Sequence, residues 1–581
     1  MKTQEKTSLT RKIRELGRVA QLHRCNARTV IGTVLTGWCR TDFPALPPPG
    51  LPYLRALARE KKVAVFIETL HTLGFLEGTY WLSSLYAAVA DKDYRKKLAM
   101  FFTPPSLTKG LLDDLAEQGV DFASQTFLDP ACGGAAFLAP IAIRMRETLL
   151  SRGTTSRQVL RHIEGHLFGT DIDATLCELS KQFLRMALHN EIRKTGYLPE
   201  LKIHQADSLT GLASMFETID VVVCNPPYRK IAAEELDLLR EPFADVIEGQ
   251  PNLYGLFIGL CVRFLREGGY AALVTPTSFL SGQYFSKLRT FLMRNTDVAH
   301  VGIVSDRLGV FIDVEQETAL TVVRRRAASK SNEGRPKVSV VSATGQYKSV
   351  GECHLPHAGA AWPLPRSVED VALLKAARTS KFRLSNYGYR VRIGSYVWNR
   401  DKRPRYESLK DVKRAKAYTA LPLLWSHDIS AAGLVVFDDS VMARDGHRFV
   451  DLGDRRHRSA VRRPSVVLQR VTSNDQPKRL VAAPVPSQLF TKYGGFVGEN
   501  HIVILEQVED KPALNVSAMA KLLATTPVDR YFRCISGATN VSAFEMRQLL
   551  LPDPKKLRAE LDRGASMEEA AHRSLGLTFK G

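Results

Sequence analysis

The stretch Ile219-Asp220-Val221-Val222-Val223-Cys224-Asn225-Pro226-Pro227-Tyr228 constrains this chain more than any other. Three consecutive valines suit a central parallel strand, which is hydrophobic on both faces. Neither proline carries an N–H, so the ladder must stop at Asn225. The prolines also stiffen the turn, fixing the Asn225 side chain and the Pro226 carbonyl at the strand's carboxyl end, where open α/β sheets bind ligands. A rigid pair of acceptors followed by the Tyr228 ring is what an amine on a planar ring requires. The plainer alternative is a strand-terminating turn with a packed tyrosine.

The surroundings weigh against that alternative. Phe127-Leu128-Asp129-Pro130-Ala131-Cys132-Gly133-Gly134 reads as a strand, a small-residue loop and the start of a helix. Small residues there let a ligand approach the backbone, where free N–H groups at the helix start would meet its carboxylate. A second strand ends in Leu167-Phe168-Gly169-Thr170-Asp171, and an acid in that place is suited to two ribose hydroxyls. A third ends at Asp207, a carboxylate suited to an adenine amine. Four successive strands therefore close on Asp129, Asp171, Asp207 and Asn225. After the turn, an apolar helix from Asn252 is expected to end at a Gly268-Gly269 C-cap. Strands at Tyr270–Pro276, Val301–Val304 and Thr318–Val323 are expected to complete the sheet.

Length and charge bound the rest. A chain of 581 residues suggests two to four domains. Its 81 Lys and Arg exceed its 60 Asp and Glu, for a net charge of +21. The excess is uneven. Residues 381–480 hold 22 basic and 10 acidic side chains, and residues 1–100 hold 17 and 8, whereas residues 121–320 hold 19 and 24. Two basic flanks around a mildly acidic middle imply a polyanion held by the flanks and different chemistry in the centre. The eight cysteines are scattered without Cys-x-x-Cys spacing, so neither zinc, nor another metal, nor a disulfide framework is expected. No apolar run approaches the ~20 residues that span a bilayer. With a basic, helical-looking start that is no signal peptide, the expected location is the cytoplasm.

Residues 1–41 read as basic helix, Pro44 to Pro52 as a stiff extended linker, and residues 53–100 as helix again. In the second half, Arg455, Arg456, Arg458, Arg462, Arg463, Arg470, Lys478 and Arg479, near Tyr493 and Phe496, fit a surface that grips a nucleic-acid backbone. The expected layout is a basic, mostly helical segment over 1–94, a catalytic domain over 95–330, a recognition domain over 331–554 and a tail over 555–581.

In this order the motifs resemble the amino-type DNA methyltransferases that modify adenine N6, as found in type II restriction–modification systems. Phe102-Thr103-Pro104 resembles the family's first cofactor motif, and Asp129-Pro-Ala-Cys-Gly-Gly its cofactor loop, with Ala135 where a glycine is usual. Asp171 and Asp207 match the ribose and adenine positions. Asn225-Pro-Pro-Tyr228 matches the catalytic motif, and Asn252-Leu-Tyr-Gly-x-Phe257 the segment whose phenylalanine packs on the cofactor adenine. Gly309-Val310-Phe311 resembles a later motif that helps hold the flipped base.

The resemblance implies an α/β fold: a Rossmann-like S-adenosylmethionine-dependent methyltransferase domain with a helical N-terminal segment and a mixed α+β C-terminal DNA-recognition domain. It implies S-adenosyl-L-methionine contacted by Thr103, Asp129, Ala131, Gly133, Asp171, Asp207 and Phe257. Catalysis would fall to Asn225, Pro226 and Tyr228, with the base held by Tyr228 and Phe311. The implied partners are double-stranded DNA and a cognate restriction endonuclease, with the protein a monomer. Two alternatives share the turn: a type I modification subunit needing a specificity subunit, and a methyltransferase acting on RNA or protein glutamine.

Overall fold

The computed structural model describes residues 3–304, 317–327, 334–342, 344–356, 359–412, 419–437, 447–454, 456–472, 475–537 and 539–579. Two compact units emerge, Met1–Phe279 with Tyr284–Gly359, and Leu280–Gln283 with Ala360–Gly581.

Among the described residues, the first unit is built on nine strands: β1 (Phe127–Asp129), β2 (Leu167–Asp171), β3 (Lys202–Gln205), β4 (Ile219–Cys224), β5 (Leu265–Pro276), β6 (Thr296–Val304), β7 (Thr318–Arg325), β8 (Lys337–Val341) and β9 (Tyr347–Glu352). Their spatial order is β3-β2-β1-β4-β5-β7-β6-β8-β9. Strands β1 to β5 are mutually parallel. β7 inserts antiparallel between β5 and β6. All six residues of β4 are buried, which accounts for a valine run without alternation. The chain starts in the middle at β1, moves outward to β3, then returns to β4. The order therefore reverses between β1 and β4, and a crevice opens at their carboxyl ends, where α/β sheets bind ligands.

Two local readings change. Residues Gly268-Gly269 do not cap a helix; the helix Leu253–Phe264 is already finished. Gly268, at φ +79°, lies inside β5, where the pairing with β4 shifts from Ile219↔Leu265 to Val221↔Tyr270. The glycine pair accommodates a bulge. Nor does the strand expected at Thr318–Val323 complete the sheet, since β8 pairs with β6 and β9 with β8. Arg325 donates to the carbonyls of Val262 (3.1 Å) and Leu265 (3.0 Å). Arg326 donates to those of Met293 and Arg294 (both 2.6 Å). The arginines satisfy carbonyls left open at helix ends. The sheet runs to Glu352, past the residue 330 at which the sequence places the end of the catalytic domain.

Ahead of the sheet come α1 (Thr3–Leu22), α2 (Ala27–Asp42), α3 (Arg55–Ala58), α4 (Lys61–Thr72), α5 (Phe75–Val89), α6 (Lys92–Leu98) and α7 (Pro105–Glu117). The stretch 1–41 is two helices, because Asn26 takes the Thr29 N–H (2.8 Å) and caps α2. The proline-rich segment buries Leu51 and runs against α2 at Gly32, so it packs instead of spacing. Leu9, Leu16, Trp38 and Trp81 join Leu107, Phe127 and Leu138 in one continuous core. The helical segment is thus part of the catalytic unit's core. Three further helices, α8 (Leu138–Ser151), α9 (Ser156–His166) and α10 (Ala174–Ala187), connect β1, β2 and β3.

The second unit is mixed α+β. One antiparallel sheet orders Tyr389–Ile393, Ile502–Gln507, Ser465–Gln469 and Ala482–Pro484. Another orders Arg405–Tyr406, Phe449–Asp451, Ala420–Leu424 and Val497–Gly498. Among the described residues no helix is long and apolar enough to cross a membrane.

Candidate active site

The crevice between β1 and β4 holds a cavity of about 270 Å³. Thr103, Asp129, Ala131, Gly133, Asp171, Asp207 and Phe257 all line it, together with Asn225. Residues up to 154 positions apart in sequence, from Thr103 to Phe257, meet because strand ends, the loops beside them and the early turns of helices converge on this edge of the sheet.

The acids are not equivalent. Asp129 is fully buried and accepts the Ala131 N–H (3.1 Å). Desolvation pushes its carboxyl well above the ordinary range. Asp171 accepts the N–H groups of Gly133 and Asp173 (both 2.9 Å). Burial raises it to about 6 despite those hydrogen bonds. Asp207 is exposed at the rim and takes the Leu209 N–H (3.0 Å) with one oxygen.

The loop after β1 differs from its sequence reading in one respect. Its N–H groups at Ala131, Gly133 and Cys132 donate to Asp129, Asp171 and the Thr170 carbonyl (2.9 Å for Cys132). They build the cavity wall from inside, so the carboxylates, not those N–H groups, are what the wall offers a ligand. Ala135 sits at φ +56°, the left-handed backbone that explains why glycine is usual at this place.

At the end of β4, Asn225 is held by its amino side. Nδ2 donates to Thr103 Oγ1 (2.9 Å) and to the Phe101 carbonyl (3.3 Å). Oδ1 is therefore the acceptor end, and it lies 2.7 Å from the Tyr228 hydroxyl. That hydroxyl also lies 2.9 Å from the Val274 carbonyl, and its single proton serves one of the two. The Tyr228 ring is edge-on to Tyr254 (5.9 Å, 79°) and near-parallel to Phe101 (6.5 Å, 22°). Pro226, between Asn225 and Tyr228 in sequence, is buried. Tyr228 lines a second cavity, not the first. Asn225 thus stands where the acid-lined cavity ends and the aromatic one begins.

Sequence reasoning assigned Thr103 only to the cofactor; its hydroxyl also orients Asn225. It missed Phe101 and Tyr254, although Phe101 adjoins the motif that it singled out. Phe311, with Gly309 and Val310, lies outside the described residues.

Several members of the basic cluster of the second unit also hydrogen-bond to backbone carbonyls of that unit. Arg462 donates to Gly494 O (2.6 Å), Arg463 to Val508 O (2.5 Å), Arg470 to Asn500 O (2.8 Å) and Lys478 to Ala524 O (3.0 Å). Arg479 is fully buried against Thr472 and Ser536, and Phe496 belongs to the core. Arg456, Arg458, Arg462, Arg463 and Lys478 are exposed, and Arg455 lies outside the described residues. Guanidinium groups supply five donors each, and irregular loops absorb them.

A parallel sheet that switches direction between β1 and β4, with three acidic strand ends and an apolar wall at Phe257, defines a Rossmann-like S-adenosylmethionine-dependent methyltransferase. The cavity's chemistry fits that cofactor. Its carboxylates suit a ligand bearing a sulfonium, an ammonium, ribose hydroxyls and an adenine amine. At its rim Arg229 is neutralised by two hydrogen bonds to Glu235 (2.7 and 2.8 Å).

Comparison narrows the class. A family model described as Eco57I restriction-modification methylase matches residues 165–311. The type II methyltransferase M.BsuBI of Bacillus subtilis is 22% identical over 477 residues, covering 79% of this chain and 88% of its own. M.PstI of Providencia stuartii is 23% identical over 355 residues, covering 58% of this chain and 65% of its own. Among solved structures, the type IIL restriction-modification enzyme MmeI in complex with DNA has the same fold, with a TM-score of 0.55 at 11% identity over 97% of this chain and 90% of that one. The proteins it is similar to are methyltransferases of the restriction–modification class, and S-adenosylmethionine is the cofactor that its fold and cavity take.

Proposed function

We propose that this protein methylates the N6 amine of an adenine flipped out of duplex DNA, as the modification enzyme of a restriction–modification system. The observation that carries this reading is the fixed amide of Asn225. With its amino group tied to Thr103 and Phe101, it can only accept a hydrogen bond from an incoming amine. The Pro226 carbonyl is the second acceptor on the same rigid turn. Two adjacent acceptors match the two hydrogens of an exocyclic amine. Adenine is favoured because the order of the motifs resembles that of N6-adenine enzymes, and DNA because the kin by sequence are type II methyltransferases.

The amine of adenine is a poor nucleophile, because its lone pair is delocalised into the ring. Hydrogen bonds to Asn225 Oδ1 and Pro226 O draw its hydrogens to one side and localise the lone pair on the other. Bound S-adenosylmethionine supplies the electrophilic methyl group. Asn225 lines the cofactor cavity and touches the Tyr228 hydroxyl beside the second one, so it presents the amine toward the cofactor side; positioning and charge placement supply most of the acceleration. Flipping the base costs a few kcal/mol, which stacking on Tyr228 offsets by ~1–3 kcal/mol.

Incubation of the protein with labelled cofactor and duplex DNA, followed by nucleoside analysis, should yield N6-methyladenine. Asn225→Ala should lower turnover by about 10²–10³-fold, as loss of one preorganised hydrogen-bonding group does elsewhere, while cofactor affinity stays within about twofold. Label in cytosine, RNA or protein, or near-normal turnover by the variant, would overturn the reading.

A further inference from the structure

The second cavity, about 940 Å³, joins the catalytic turn to the N-terminal helices. Tyr228 and Phe101 form its aromatic end. Around the rest stand Arg14 of α1, Lys92, Arg95, Lys96 and Lys97 of α6, and Lys230 just past the turn. Five of these six are exposed and Arg95 is half-buried. Asp93 is the one carboxylate among the described lining residues. None of the six cations forms an ion pair with another described residue, whereas Arg229 beside them is matched by Glu235.

We infer that this cavity holds the phosphodiester backbone on either side of the flipped nucleotide, with α1 and α6 as the gripping elements. The inference rests on the function proposed above and assigns a role to the helical segment within it. Uncompensated cations cost self-repulsion unless a polyanion neutralises them. Lys92, Arg95 and Lys96 fall at i, i+3 and i+4 and so share one face of α6.

That face is held in place. Asp91 caps α6 by accepting the N–H groups of Asp93 and Tyr94 (both 3.0 Å). The Tyr94 hydroxyl donates to Asp173 (3.1 Å), which also takes the Tyr86 hydroxyl (2.8 Å). Asp173 in turn caps α10, two residues beyond the Asp171 of the cofactor cavity. The cations are therefore anchored to the same strand end that shapes the cofactor site. A base turned out about its own backbone stays tethered to its flanking phosphates, which therefore lie close to the pocket that it enters. Cations beside the aromatic end are placed for those phosphates, and cations with interleaved aromatic rings are how single strands are gripped.

The test uses the full chain with Arg14→Gln, Lys92→Gln and Lys96→Gln combined. None of the three lines the cofactor cavity. A control carries Arg59→Gln, Lys61→Gln and Lys62→Gln, exposed residues around the start of α4. Affinity for duplex DNA and its salt dependence are measured with S-adenosylmethionine affinity alongside. The first variant should bind DNA about 10-fold or more weakly, and its slope of log affinity against log salt should shrink by about 2–3, near one unit for each phosphate no longer neutralised. Cofactor affinity and the control should match wild type. A variant that keeps the wild-type slope, or a control that loses as much, overturns the inference while wild-type methylation of DNA leaves the proposed function standing. If wild type itself neither binds nor methylates duplex DNA, both fall.

Discussion

In sequence, the carboxyl edge of the first unit's sheet and the arginine-rich loops of the other unit are alike, since both are polar residues scattered among apolar runs. They differ in what fixes them. Asp129, Asp171 and Asn225 end parallel strands whose order is forced by buried valines and crossover helices, so topology alone brings them to one crevice. Arg462, Arg463, Arg470 and Arg479 sit in irregular chain, where nothing outranks the nearest open carbonyl, and each takes one. Periodic structure delivers its polar residues to one site; irregular structure ties each first to its own backbone, and of these four buries only Arg479 outright.

The largest effect that could break this contrast lies at Arg479. It is fully buried, donates to the Thr472 carbonyl and Ser536 Oγ, and lies over the Phe532 ring at 5.8 Å. Arg479→Ala should cost about 3 kcal/mol or more, since each hydrogen bond to a charged group is worth ~1.5–3 kcal/mol. In a unit of this size, differential scanning calorimetry should show a loss of about 6–12 °C at ~2–4 °C per kcal/mol. Arg458→Ala, at an exposed position, should stay within about 0.5 kcal/mol. If Arg479→Ala instead melted like wild type and bound DNA poorly, the cluster would be a gripping surface after all.

This explains which parts of the molecule were legible in the sequence. Asp129, Asp171, Asp207 and Asn225 were legible because each closes or follows a strand whose pattern is visible, while Thr103, Ala131, Gly133 and Phe257 were nameable through the resemblance of their motifs; all eight line one cavity. Thr103's bond to Asn225 was not, because it joins residues 122 positions apart through a side chain whose partner periodicity cannot specify. The shared core of the helical segment was hidden for a related reason. Leu16 or Trp81 on a helix announces a buried face but not what covers it. The end of the sheet was misplaced because Arg325 and Arg326 look like a linker, while they serve helix-end carbonyls.

Two intermediate effects bear on how the strand ends work. Thr103→Val keeps the shape but removes the hydroxyl that orients the Asn225 amide. The turnover number should fall about 10-fold, near the ~1.4 kcal/mol of one hydrogen bond, with cofactor affinity within about threefold, and Thr103→Ser should restore it. A large loss of cofactor affinity with unchanged turnover would return Thr103 to a purely cofactor-binding role.

Asp171 gives a pH signature. Its carboxyl, raised by burial to about 6 against an ordinary value of 3.8, must be ionised to accept ribose hydroxyls. Calorimetric titration should show cofactor affinity nearly flat above pH ~7 and falling by up to about tenfold per pH unit below ~6, and Asp171→Asn should bind weakly without that slope. For the free protein the sign reverses: an acid whose pKa rises on folding contributes stability below pH ~4, and that contribution is lost as pH climbs through ~6.

The smallest effect tests the loop that the first unit uses to shape its crevice. Ala135 holds φ +56°, and its N–H donates to the Cys132 carbonyl (2.9 Å), so the left-handed turn is built into the cavity wall. A side chain there costs about 1 kcal/mol relative to glycine in the folded state, while glycine loses ~0.4–1 kcal/mol through the greater freedom of the unfolded chain. The two nearly cancel. Ala135→Gly should therefore shift denaturant stability by no more than about 0.5 kcal/mol and leave cofactor affinity unchanged. A stabilisation well beyond that would mean that the loop is under more strain than its neighbours relieve, and a fall in affinity would mean that the Ala135 methyl, although buried, helps to form the wall of the crevice.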